Sequence, residues 1–137
     1  MRRNIFIIIA LAVIAFCVLS VSCKNEVDEV EVDASYKELK EALQEIAGIE
    51  IPDIPGIRVL ITQKTQYSLY SMLTGDITQE NYSKILSAFT GKLGAEREGY
   101  PQNENSTTTD EWLLGDNWTQ LIFVNDSKPY MNINCGR

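Results

Sequence analysis

Residues 110–137 constrain the fold of this chain more than any other stretch. Apolar and polar residues alternate through 131–135, the apolar-rich runs 110–114 and 118–124 precede it, and the three are separated by Gly115-Asp116-Asn117 and by Asn125-Asp126-Ser127-Lys128-Pro129. A period of two marks a strand with one buried face, and turns this short leave no room for a crossover, so three strands are predicted to pair as an antiparallel meander. Pairing Val124 with Tyr130 puts Leu121, Phe123, Met131, Ile133 and Cys135 on one face, which reads as core. Cys135 then points inward as a small hydrophobe with an inert thiol.

Upstream, Ser35 and Glu38 have the spacing of a capping box, and Tyr36, Leu39, Leu43 and Ile46 follow at helical spacing up to Gly48. A first helix is expected to start at Ser35, with Glu41 and Glu45 facing solvent. Pro52 and Pro55-Gly56 form a turn, and β-branched residues 57–62 read as a strand. Residues 67–73 fit a strand or a short helix, and the strand is preferred. Thr78 caps a second helix, stapled by Ile77 and Tyr82, whose stripe is Tyr82, Ile85, Leu86, Phe89 and Leu93, ending at Gly94. Residues 95–109 are polar and without period, the pattern of a long loop. These pieces predict an α+β domain: an antiparallel sheet with a C-terminal three-stranded meander and two helices packed on one face.

The amino end has a different character. Arg2 and Arg3 supply positive charge, and Ile5 to Leu19 is apolar without a break. Fifteen residues reach about 22 Å as a helix, short of the roughly 30 Å hydrocarbon core of a bilayer, so an export signal fits better than a permanent span. The stretch closes on Leu19-Ser20-Val21-Ser22-Cys23. This resembles the lipobox of bacterial lipoproteins in its relaxed form, with the leucine one place further out than usual. The resemblance covers the first 23 residues and implies cleavage before Cys23, lipid on its sulfur, and a bacterial envelope location. Lys24, where inner-membrane lipoproteins commonly carry aspartate, favours the outer membrane. Two or three acyl chains at about 0.8 kcal/mol per methylene would hold durably. The competing reading is ordinary cleavage at Ser20-Val21-Ser22, giving a secreted protein in which Cys23 and Cys135 could pair. The expected organisation is a signal peptide at 1–22, an acidic tether at 23–34 and one domain at 35–137.

Removing residues 1–22 leaves 10 basic residues against 19 acidic ones, a net charge of −9. Nucleic acid is therefore not an expected partner. The chain has no histidine, which removes the commonest general base and transition-metal ligand. A lone cysteine in the mature domain and the absence of glycine-rich phosphate loops leave no metal site or cofactor expected.

The constellation that points to function lies on the other face of the meander. If Leu114 pairs with Trp118, then Trp112, Trp118, Gln120, Ile122, Tyr130, Asn132 and Asn134 stand together opposite the core. Aromatic rings give large contact area at low entropic cost, and amides both donate and accept, the chemistry that holds a sugar ring or a peptide. The expected function is non-enzymatic binding or scaffolding of a glycan, peptidoglycan or protein ligand at the envelope. The alternative is an inhibitor of a basic host hydrolase such as lysozyme, using the loop 95–109 as a probe. A hydrolase would need Asp110 or Glu111 in a cleft, and acids flanking a strand and turn are normally solvated.

Overall fold

The computed structural model describes residues 31–94 and 106–137. Residues 1–30, with the expected signal peptide, Cys23 and most of the expected tether, and residues 95–105 of the expected loop lie outside the described residues.

The first helix, α1 (Ala34–Ala47), starts earlier than Ser35 because Asp33 takes the capping role. Its carboxylate accepts from the Ser35 amide at 2.9 Å and from the Ser35 hydroxyl, which leaves Glu38 out of the cap. The Ser35 oxygen in turn accepts from the Val59 amide at 3.0 Å and ties the start of α1 to the sheet. Val32 is buried in the core, while Glu31 and Ala34 beside it are exposed. Gly48 ends α1 in the left-handed conformation, at φ 65°. Glu41 and Glu45 are exposed, as the stripe requires.

Strand β1 (Ile57–Lys64) and strand β2 (Ser68–Gly75) form a hairpin, which resolves residues 67–73 in favour of strand. The register slips between Val59 and Ile61, so Leu60 is the extra residue of a bulge. The second helix, α2 (Gln79–Leu93), begins where its signals place it: Thr78 accepts from the Asn81 amide at 3.1 Å, and Ile77 and Tyr82 are both buried. Strands β3 (Thr107–Leu114), β4 (Asn117–Val124) and β5 (Tyr130–Gly136) make the meander. Residues 107–109, expected in the loop, belong to β3 and pair with 122–124 of β4.

All five strands lie in one antiparallel sheet in the order β1-β2-β5-β4-β3. The chain crosses from β2 to the far edge through α2, and the meander then returns so that β5 docks on β2. Both helices cover the same face. Helix α1 packs over β1, β2 and β5. Helix α2 meets β3 and β4 through Tyr82 stacked on Phe123, with ring centres 4.7 Å apart, and through Phe89 against Trp112 at 5.6 Å. The fold is α+β with two helices on one side of an antiparallel sheet. None of the described helices is long and apolar enough to cross a membrane.

One detail of the meander differs from expectation and decides what each face carries. The β3–β4 turn has two residues, Gly115 and Asp116, with Leu114 paired to Asn117 and Leu113 paired to Trp118. Gly115 has φ 63°, the glycine-first pattern of a hairpin turn whose twist matches its strands. Counting Asn117 into the strand shifts β3 by one residue, and a shift of one turns every side chain of β3 to the other face. Trp112 is therefore in the core, 2% exposed, and Leu113 is outside. Asp110 turns inward with Trp112 and is buried rather than solvated.

Candidate functional site

On the helix-free face the registers give cross-strand rows. Trp118 pairs with Gly136, which pairs with Ser68; Gln120 pairs with Asn134, which pairs with Tyr70; Ile122 pairs with Asn132, which pairs with Met72; and Val124 pairs with Tyr130. Thus Trp118, Gln120, Ile122, Tyr130, Asn132 and Asn134 share one face, and Trp112 does not join them. Tyr70 and Met72 extend the row from β2, on which sequence reasoning had no hold, because the β2–β5 pairing joins segments some sixty residues apart.

Trp118 is 39% exposed and its ring lies against the backbone of Gly136. A β-carbon at position 136 would fall 2.6 Å from Trp118 Nε1 and 2.8 Å from its Cε2, so only glycine leaves room for the indole to rest there. Beside it, Asn134 donates through Nδ2 to Gln120 Oε1 at 3.1 Å. The side-chain oxygens of Asn132 and Asn134 are buried and have no hydrogen-bond partner. Each costs about 1–3 kcal/mol, and the Tyr82 hydroxyl and Asp110 Oδ2, on the helix side of the sheet, are left the same way.

The face is also nearly free of charge. Of its residues on the five strands, only Arg58 on β1 and Glu111 on β3 are ionic, and they stand at opposite edges. The middle of the face carries Trp118, Gln120, Ile122, Tyr130, Asn132, Asn134, Tyr70 and Met72. In a chain with 19 acidic and 12 basic residues, that neutral band stands apart from the rest of the surface.

The comparisons give no relative to reason from. No protein-family model, no curated protein and no solved structure matches this chain. The chemistry of the site must therefore be read from the residues themselves.

A rival location lies on the other side of the sheet, where the helices end. A cavity of about 340 Å³ is lined there by Lys92, Leu93, Trp112, Cys135 and Arg137, among others. Its cations have structural roles. Arg137 donates to the Ile46 carbonyl at 3.2 Å, and Lys92 sits in the last turn of α2, so each offsets the negative end of a helix. The Trp112 indole donates to the Gly94 carbonyl at 3.2 Å, and burial pushes the Cys135 thiol up to about 11, which keeps it protonated and unreactive.

The acids considered for hydrolysis do not come together. Asp110 and Glu111 are neighbours on β3 and point to opposite faces of the sheet. Burial raises the Asp110 carboxyl above its ordinary range, and its Oδ2 has no partner. Among the described residues no group of three His, Cys, Asp or Glu side chains is placed to hold a metal ion.

Proposed function

We propose that this chain is an exported lipoprotein, cut before Cys23 and held by acyl chains there, whose α+β domain binds an envelope ligand without catalysis. The anchor reading is supported by Arg2 and Arg3, the apolar run Ile5 to Leu19 and the sequence Leu19-Ser20-Val21-Ser22-Cys23. Lys24 favours the outer membrane over the inner one. The binding reading is carried by one observation: an uncharged band of aromatic and amide side chains on the helix-free face, with Trp118 exposed and the amide oxygens of Asn132 and Asn134 unpartnered. Exposed aromatic area beside amides that need partners is what a ligand surface offers and what a merely solvated face has no need of.

Two measurements test this. Mass spectrometry of the amino-terminal peptide from the native membrane fraction is expected to find acyl groups on Cys23, and an unmodified Cys23 in a soluble fraction contradicts the anchor. Hydroxyl-radical footprinting compares Trp118 in the intact envelope with Trp118 in the isolated protein, with buried Trp112 as internal reference. Shielding of Trp118 in the envelope is expected; equal labelling in both states contradicts a ligand on this face.

A further inference from the structure

We infer that the ligand of this face is a chain of uncharged sugar rings, with one pyranose stacked on Trp118 and Gly136 acting as the positioning residue that seats the indole. The inference rests on the helix-free face being the binding site. It rests on the fit of a neutral saccharide to the aromatic and amide side chains of the face, and on the poor fit of ionic ligands, lipid tails and strand-added peptides.

An ionic ligand finds little complementary charge, since among the described strand residues of the face Arg58 and Glu111 alone are ionic and stand at opposite edges. A lipid tail would strip water from Gln120, Asn132 and Asn134 without replacing the lost hydrogen bonds. A peptide added as a strand needs free main-chain groups, and β2, β5 and β4 beneath the site are each paired on both sides. A neutral saccharide meets all three conditions. Its hydroxyls both donate and accept, the complement of the amide side chains of Gln120, Asn132 and Asn134. The C–H face of a pyranose is apolar and flat, which suits an exposed indole braced against backbone.

Gly136 is what holds it so. With any side chain at 136 the β-carbon would overlap the indole, which must then lift or swing away. The ring's orientation is thus set by a residue that makes no contact with ligand itself.

The test is a titration of the full-length protein, in a detergent without a sugar headgroup, with tetramers of β-linked N-acetylglucosamine, glucose and mannose, measured by isothermal titration calorimetry. At least one tetramer is expected to give a saturable change that Trp118→Ala abolishes and Tyr67→Ala, an exposed ring in the β1–β2 turn, leaves intact. Gly136→Ala should weaken that binding by about tenfold or more, as expected for a displaced aromatic anchor, with far-UV circular dichroism unchanged. Trp118→Phe, which keeps a ring on Gly136, should retain part of it. Binding that survives Trp118→Ala, or a folded Gly136→Ala protein that binds like the wild type, overturns the arrangement. If no tetramer binds while Trp118 is shielded in the envelope footprint, the sugar inference falls and the face remains a site, then occupied by a protein. If no tetramer binds and Trp118 is labelled equally in both states, both fall. A Trp118 already shielded in the isolated protein, covered by another part of the chain, overturns both as well.

Discussion

The two tryptophans, six residues apart in sequence, should differ widely in what truncation costs the fold. Trp112 is 2% exposed and Trp118 is 39% exposed. That difference amounts to about 90 Å² of the roughly 250 Å² an indole can bury, or about 2 kcal/mol at about 25 cal/mol per Å². Trp112 also donates to the Gly94 carbonyl at 3.2 Å, a bond contributing about 1 kcal/mol net, and its ring meets Phe89. Trp112→Ala is therefore expected to cost about 3 kcal/mol more than Trp118→Ala, and since small domains have only about 5–15 kcal/mol in hand, it should bring the fold near its limit. Urea denaturation followed by far-UV circular dichroism measures both variants. Equal destabilisation, or a greater loss for Trp118→Ala, would refute the two-residue turn at Gly115-Asp116 and with it the composition of both faces.

Further expectations concern the buried polar and glycine positions. The Asp110 carboxyl has a folded pKa raised by burial, so it favours folding when protonated and that contribution is lost as pH rises through the folded value; Asp110→Asn should be more stable than wild type by about 1 kcal/mol at pH 7, with the gap closing as pH falls toward the unfolded carboxylate value. Parallel denaturation curves at pH 7 and pH 4 check this, and a pH-independent gap contradicts it. Cys135, with a thiol raised to about 11 and 2% exposure, should react with Ellman's reagent at pH 8 only as fast as the protein unfolds, whereas rapid labelling of the native state would show that β5 is not held as described. Gly75 has φ 90°, and a β-carbon there would lie 2.2 Å from the Gly56 carbonyl oxygen, so Gly75→Ala should cost about 2–3 kcal/mol, measured as a lower urea midpoint.

How much of this was legible in the sequence follows from how local each signal is. Thr78, Ile77, Tyr82 and Gly94 lie within or beside one helix, and they marked α2 correctly from sequence alone. Gly48 ended α1 for the same reason. Asp33 and Ser35 could both cap, two residues apart, and the choice between them turned on a tertiary contact, the Val59 amide on the Ser35 oxygen. Val124 and Tyr130 were paired correctly, so the β4 and β5 contributions to both faces were legible. A three-residue turn at Gly115-Asp116-Asn117 puts Trp112 outside the core and Asp110 in solvent, and the two-residue turn of the structure brings both inside together. Tyr70 and Met72 were missed for a different reason. Alternation says that a strand has two faces, but it does not say which distant strand will lie beside it.

The functional surface proposed for this chain is the helix-free face and not the cavity at the helix ends. The most direct measurement is a map of backbone amide shifts in the ¹⁵N-labelled full-length protein on addition of a solubilised envelope extract. The account predicts saturable changes at Trp118, Gln120, Tyr130, Asn132 and Asn134, with Lys92 and Leu93 unmoved. Changes centred on Lys92, Leu93, Trp112 and Cys135, with the amide row unmoved, would contradict it and place the site in the cavity beneath the helices.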